Sequence, residues 1–398
     1  MSQNIKNLTK VRIILHFFSP FNSDYINPTP SIYKAIFAEV ADFTHSTNEK
    51  NKTDVTSEDI CLITPFVFIG SSLEIYEQTK KRLIKYYNLN KLKFPPFEQC
   101  VDFTSVAVNS MKVAMATVIT LHDYDVHALM RQPFLLNILR ENNIYLILAG
   151  EELYDFEFYK KTLQKDMDES VIVEIKNFFN EFKTRIISLP HALFQSEINQ
   201  NIQSFDFIPY SIPGVNYLPR KNFKYKVCSV NTTSFWISLL YQLSIKLIRR
   251  LPFPRLRIFL LRKIMYLYIK HSKFSFTCGG TPGYFIRKFL EIPAAASVMI
   301  CSEYKFLKRL GINKYLNYIP FDPIEENLEN LNTRLQKNSQ LDFIEIIKNT
   351  HRLLQSDHSI SARTKQLKKA LFQIEKNDFI GSFWEDGEFI IRTNNGPK

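Results

Sequence analysis

The sequence predicts an α/β protein of two units, each a parallel sheet wrapped by helices, facing one another across a central cleft. Three observations predict it. Short apolar runs rich in β-branched and aromatic residues alternate with longer stretches of helical periodicity. At 398 residues the chain is long for one core. A non-periodic stretch with three prolines and a glycine, IPYSIPGVNYLPRKN at 208–222, interrupts the alternation and reads as a connection between units.

The elements follow in order. VRIILHFF (11–18) and ICLITPFVFIG (60–70) have the look of strands buried on both faces. Basic residues before VRIILHFF give a faint echo of a signal peptide, but the apolar stretch is short and no small-residue cleavage site follows, so a first buried strand is expected. Polar STNEKNKTDVTSED (46–59) reads as a mobile loop. SLEIYEQTKKRLIKYY (72–87) and VDFTSVAVNSMKVAMATVITL (101–121) carry helical periodicity. IYLILAG (144–150) is a further strand, followed by EELYDFEFYKKTLQ (151–164), whose acidic start and basic end suit a helix dipole. TRIISLPHALF (184–194) reads as a strand broken by Pro190. The rhythm restarts with KYKVCSV (224–230), then two helices, SFWISLLYQLSIKLIRR (234–250) and PRLRIFLLRKIMYLYIKH (254–271). Strands KFSFTCG (273–279) and LNYIPF (316–321) and helices LDFIEIIKNTHRLLQ (341–355) and SISARTKQLKKALFQIEK (359–376) complete the second unit. The expected division is a Rossmann-like unit at 1–212, a second at 213–376 and a C-terminal extension at 377–398.

Composition excludes several classes. Hydrophobic residues at 45% and charged residues at 23% describe a globular chain, not a disordered one. No run of about eighteen uninterrupted apolar residues offers a membrane span. Five cysteines without close pairs suit reduced thiols, hence a cytoplasmic setting, better than a disulfide framework or a zinc site.

The net charge of +12 is concentrated. Residues 207–290 contain no Asp or Glu and 15 of the 51 lysines and arginines; the other 36 face 39 acidic residues. Such a field attracts phosphates on a nucleotide, a nucleic acid or a lipid surface, unless it is simply a solvated basic face. Within it, residues 236–271 interleave Arg and Lys with Leu, Ile, Phe and Tyr, the composition of a helix lying at an anionic membrane surface, or of core residues framed by cations. No RNA-binding signature or helix-turn-helix spacing accompanies it, which argues against nucleic acid as a partner.

The densest motif is GYFIRKFLEIPAAASVMICSE (283–303). It reads as a turn, a short helix, a tight Pro-Ala corner and a buried strand. Arg287 and Lys288 precede Glu291 by four and three residues, so all three share one face of the helix. The trio is either an exposed helix salt bridge or a set of cations and one carboxylate offered to a nucleotide.

The longer run HSKFSFTCGGTPGYFIRKFLEIPAAASVMIC (271–301) resembles the donor-domain core of GT-B glycosyltransferases, broadly the group 1 type that builds bacterial surface polysaccharides. In that family a strand and a small-residue loop lead to a Lys-x-x-Glu helix, a Pro/Ala/Gly corner and another strand. HSISARTKQLKKAL (358–371), with a His before an Arg on the last helix, is similar to the family's closing stretch, and SLPHALF and SIPGVNYLPR look like the end of its acceptor domain and its linker. The resemblance covers about 184–375. It implies two facing Rossmann-like domains and transfer of a sugar, of hexosyltransferase type, from a nucleotide-diphosphate donor. The implied acceptor is a saccharide or a lipid-linked molecule in surface polysaccharide or lipopolysaccharide synthesis. The implied location is the cytoplasm, at the inner face of the plasma membrane, with neither metal nor cofactor.

Residue by residue, the resemblance puts Glu291 on the donor ribose hydroxyls, a job that suits an acceptor-only group able to take two protons. Lys288, Arg287 and Arg220 fall where cations neutralise the diphosphate, and Gly279, Gly280, Thr281 and Gly283 form the loop along which backbone N–H groups approach phosphate. Gly283 stands where many retaining members carry a second glutamate, and the corner Ala294-Ala295-Ala296-Ser297 lacks the usual glycine. The first strand runs into SPFNSD in place of a Gly-Gly loop. Sugar transfer needs charge stabilised on the leaving diphosphate, a role for Lys288, and in an inverting enzyme a base at the acceptor hydroxyl. His191 is the candidate base, with His122 and Asp123 as others; a structural histidine after a strand is the alternative for His191. HDYDVH (122–127) superficially offers metal ligands in His122, Asp123, Asp125 and His127, with no further cluster to complete a site. The competing classes are a GT-B-like fold without catalysis and a basic phosphate- or nucleic-acid-binding protein.

Overall fold

In the computed structural model the described residues are 11–18, 28–46, 54–64, 66–87, 94–121, 123–148, 169–198, 208–211, 240, 243–277, 285–321, 326, 328–337 and 342–396. The helix and strand expected at 151–164 and 224–230, most of the linker, and Arg220, Gly279, Gly280, Thr281, Gly283 and His122 lie outside them.

The first sheet contains β1 (Ile13–Phe17), β2 (Phe43–Ser46), β3 (Ile60–Thr64), β4 (Ala116–Thr120) and β5 (Ile144–Ile147) in the order β2-β1-β3-β4-β5, every pair parallel. Helices α1 (Pro28–Ala38), α2 (Leu73–Tyr87), α3 (Phe97–Val113), α4 (Asp123–Arg131), α5 (Pro133–Glu141) and α6 (Glu169–Phe182) accompany it. This is a doubly wound order with its topological switch between β1 and β3. β1, β3, β4 and β5 are buried along their length because both faces are covered, while the edge strand β2 is partly exposed: Ile13, Leu15 and Phe17 point to one cluster with α1, and Ile14 and Phe18 to the other with α2 to α5.

The second sheet is β6 (Ile208–Ser211), β7 (Ser272–Phe276), β8 (Val298–Cys301) and β9 (Tyr318–Pro320), again all parallel and in sequence order. With it come α7 (Pro254–Lys270), α8 (Lys288–Ala294), α9 (Lys305–Arg309), α10 (Leu328–Lys337) and α11 (Phe343–Asp357). Two Rossmann-like units are therefore present, as the sequence predicts.

Three readings change. Residues 101–121 are not one helix: α3 ends at Val113 and β4 starts at Ala116, because the β-branched run ATVIT suits a buried strand while the preceding residues suit a helix. Residues 184–194 form no continuous strand; single parallel bridges join Leu146 to Ile186 and Leu193 to Ser359. The described end of the 46–59 loop is anchored: Arg12 donates to both carboxylate oxygens of Asp59, from Nε at 2.7 Å and Nη2 at 2.6 Å.

The end of the chain ties the units together. Helix α12 (Ile360–Glu375) buries Ile360, Leu367, Ala370, Leu371 and Ile374 against the first sheet's α1 face. The hairpin β10 (Phe379–Glu385) and β11 (Glu388–Thr393) contributes Phe379 and Ile391 to that core and Trp384 to the second unit's core. Trp384 Nε1–H donates to Ser188 O at 2.9 Å, and Gly387 N–H at the hairpin tip donates to Arg309 O at 2.9 Å. So β6 joins the second sheet while the last helix packs on the first, and the segment after 376 bridges both.

At the corner between α11 and α12 lies a buried polar lock. Arg363 Nε–H donates to Pro190 O at 2.9 Å, Nη1 to Asp357 O at 2.7 Å and to Gln366 Oε1 at 2.9 Å. Its Nη2 donates to His358 Nδ1 at 2.7 Å, which places the His358 proton on Nε2, facing Leu310 O at 3.1 Å. Burial, with Arg363 beside it, pushes the His358 imidazole down to about 3.

Candidate donor site

Helix α8 follows the carboxyl end of β7 and precedes β8, the crossover position beside which open parallel sheets hold ligands. Its sequence divides cleanly. Phe289, Leu290, Ile292, Pro293 and Ala294 are buried, with Phe289 stacked on Phe285 and edge-on to Tyr304 and Phe306. Arg287, Lys288 and Glu291 occupy the opposite side, so packing of one face fixes the charged trio on the other. The predicted short helix, corner and strand are present, and the start of the predicted turn, at Gly283, lies outside the described residues. The corner is made by Ala296 at φ 62°, a left-handed conformation that is uncommon for a residue with a Cβ and that glycine adopts freely.

The trio converges. Lys288 Nζ donates to Glu291 Oε2 at 2.5 Å, and Arg287 Nε lies 3.1 Å from Glu291 Oε1, too poorly aligned for a hydrogen bond. Arg287 Nη2 also pairs with Glu197, whose other oxygen accepts from Phe194 N–H at 2.7 Å. Arg287 is thereby clamped between its own helix and the segment leaving the first unit. Lys288 Nζ additionally lies 3.3 Å from Met265 Sδ on α7.

The Glu291 side chain is 26% exposed. Burial alone would raise its pKa, but Lys288 and Arg287, the Lys288 hydrogen bond and Arg262 outweigh it and hold the carboxyl at about 2. At neutral pH Glu291 is an ionised, acceptor-only group with water access, and two cations sit within one helical turn. Such a site can accept two hydroxyl protons and set positive charge beside an anion.

Sequence reasoning missed Glu197, Arg262 and Met265. Glu197 sits in an ordinary polar stretch, and nothing in its neighbours marks it as Arg287's partner. The candidate base His191 lies buried in the connection between the units, its carbonyl accepting from Arg363 Nη2 at 3.5 Å. Asp125, one of the superficial metal ligands, is buried, and its carboxylate accepts Phe68 N–H at 3.0 Å. The side chains of Asp123 and His127 lie outside the described set. No helix among the described residues is long and apolar enough to cross a membrane.

No family model matches this chain, and no curated protein matches it. Solved structures resemble it at low identity. An alpha-glucosyltransferase in complex with UDP and a 13-mer DNA containing an HMU base is 10% identical, covering 91% of this chain and 99% of its own, with a TM-score of 0.47. Anabaena Alr3699/HepE in complex with UDP is 10% identical over 90% of this chain and 99% of its own, with a TM-score of 0.45. The GtfA/B complex is 9% identical over 70% of this chain, with a TM-score of 0.35, and this chain spans 61% of the length of that one. Matches at this level assign neither donor, acceptor nor chemistry.

Proposed function

We propose that the protein is a nucleotide-sugar-dependent glycosyltransferase of GT-B type, taking a hexose from a nucleotide-diphosphate donor. The observation that supports it most is Glu291: a carboxylate held ionised, beside Lys288 and Arg287, in the crossover after β7. On this reading the donor ribose hydroxyls donate to Glu291, and Lys288 turns from Glu291 toward the diphosphate. The acceptor oxygen bonds to the anomeric carbon as the bond from that carbon to the diphosphate breaks. Lys288 stabilises the charge left on the diphosphate, and Arg287, already held by Glu197, orients Glu291. His191 is the candidate to take the acceptor's proton. Arg220, Gly279, Gly280, Thr281 and Gly283 complete the donor contacts.

The acceptor we favour is a saccharide or a lipid-linked molecule of surface polysaccharide or lipopolysaccharide synthesis, met at the cytoplasmic face of a membrane. The charge of 207–290 supports that setting. A second reading is a GT-B-like or phosphate- or nucleic-acid-binding protein without transfer activity. It is favoured by the engagement of Lys288 and Arg287 with Glu291 and Glu197, a closed salt-bridge network.

Incubation with a panel of nucleotide sugars, following release of nucleoside diphosphate and transfer to lipid extracts or simple saccharides, separates the two. Release from one donor class, lost in Glu291→Ala, supports transfer. Absence of release from every donor, with nucleic-acid binding that falls steeply with salt, supports the second reading.

A further inference from the structure

Helix α7 carries apolar side chains on its solvent face as well as on its core face. Its outward positions, Leu256, Phe259, Lys263 and Leu267, recur at helical spacing along one face, and all but one are apolar. The preceding helical segment, 243–249, exposes Leu243 and Leu247 one turn apart, and Phe253 projects at the corner between the two. Of the fifteen large apolar side chains that the described residues leave exposed, seven fall between Leu240 and Leu267. Leu247 and Phe253 are the extremes at 65% and 64% exposed. Exposed cations, Lys246, Arg249, Arg250 and Lys263, are interspersed with this stripe, in a stretch that has no carboxylate from 207 to 290.

A core-facing role does not explain the stripe, because α7 has its other side for that: Ile269 enters the second core, and Met265 and Tyr266 pack on it. A face that combines apolar side chains with cations and lacks acidic residues matches an anionic bilayer, where the rings and leucines enter the acyl boundary and the ammonium and guanidinium groups meet lipid phosphates. It matches a second copy of itself poorly, since like charges would then oppose one another.

We propose that residues 240–267 form a docking surface for an anionic lipid bilayer, with α7 lying in the interface plane. The same helix reaches the donor site from its inner side, through Met265 Sδ at 3.3 Å from Lys288 Nζ and through the charge of Arg262 on Glu291. The bilayer and the donor site are therefore opposite faces of one helix. Only this coupling rests on the donor reading; the docking does not.

Sedimentation of the full chain with sucrose-loaded vesicles, without nucleotide, is the test. The protein pellets with vesicles of about 30% phosphatidylserine and stays in solution with pure phosphatidylcholine, and the binding weakens as salt rises. Phe253→Asp with Phe259→Asp lowers the partition constant by about tenfold or more, and Lys246→Glu with Arg250→Glu lowers it by about fivefold for each charge. All four positions are exposed, and an unchanged circular dichroism spectrum and melting temperature confirm folding. Equal binding to neutral vesicles would overturn the proposal. So would wild-type binding by the Phe variant. A concentration-dependent dimer in ultracentrifugation that the Phe variant abolishes, without vesicle binding, would assign the face to a second copy instead.

Discussion

Replacing Glu291 by glutamine probes the charged network without altering its shape. A carboxyl that titrates at about 2 in place of its ordinary 4.5 interacts favourably with its surroundings when ionised, by about 3 kcal/mol at about 1.4 kcal/mol per pH unit. A quarter of the side chain meets water, which screens part of that, so Glu291→Gln is expected to cost about 2–3 kcal/mol at pH 7. The depressed pKa fixes the sign of the pH dependence. The unfolded chain binds the proton first, so the stabilisation is complete above the unfolded value of 4.5 and disappears as pH falls through the folded value of about 2. Urea unfolding of wild type and variant between pH 7 and pH 2.5 should therefore show two midpoints that stand apart at neutral pH and converge in acid. A gap of the same size at every pH, or a variant more stable than wild type at pH 7, would show that Lys288 and Arg287 do not hold Glu291 as described.

Other consequences concern the joints of the fold. Arg363→Met leaves His358, Pro190 O and Asp357 O without their shared donor and should cost about 3–5 kcal/mol in chemical unfolding; a variant as stable as wild type would count against the lock. His358, held at about 3, makes the native state lose stability as pH falls from about 6.5 toward 3, and His358→Gln should flatten that part of the pH profile. Trp384→Ala removes a ring packed between the units and its bond to Ser188 O, for an expected loss of about 3–5 kcal/mol together with faster amide exchange in both β10 and the Arg309–Gly311 loop. Exchange that rises in β10 alone would show that the hairpin does not bridge. Gly70 has no room for a side chain, since a Cβ there would lie 2.2 Å from the Cys100 carbonyl carbon, so Gly70→Ala should lower the melting temperature by several degrees or abolish soluble expression.

Much of this was legible in the sequence because the local signals agree with the tertiary outcome. Ile13–Leu15, Phe17–Phe18 and Ile60–Ile63 are consecutive apolar residues pointing to alternate faces, and only a sheet covered on both faces accommodates that. RKFLE shows its geometry outright: two apolar residues between cations and a carboxylate at helical spacing put the three charges on one face. The seam between α3 and β4 was hidden because Ser110 to Ala116 carries neither Gly nor Pro, and the change from helix to strand is set by pairing with β3, a contact more than fifty residues away. The joining of the units was hidden for the same reason. Arg363 and Trp384 read as a helix cation and a tail aromatic, and their burial depends on Pro190 and Ser188, nearly two hundred residues earlier. Of the site, Lys288 and Glu291 declare themselves by spacing, whereas Glu197 and Met265 reach it only through the fold.

The central claim is that Glu291 receives the ribose of a nucleotide diphosphate. Calorimetric titration of a ribonucleoside diphosphate and its 2′,3′-dideoxy counterpart, into wild type and Glu291→Ala, tests it directly. Loss of the ribose hydroxyls should weaken binding to wild type by about tenfold to a hundredfold, the worth of hydrogen bonds to a charged acceptor, and should make no difference to the variant. An equal penalty in both proteins, or no binding of either nucleotide to wild type, would contradict it.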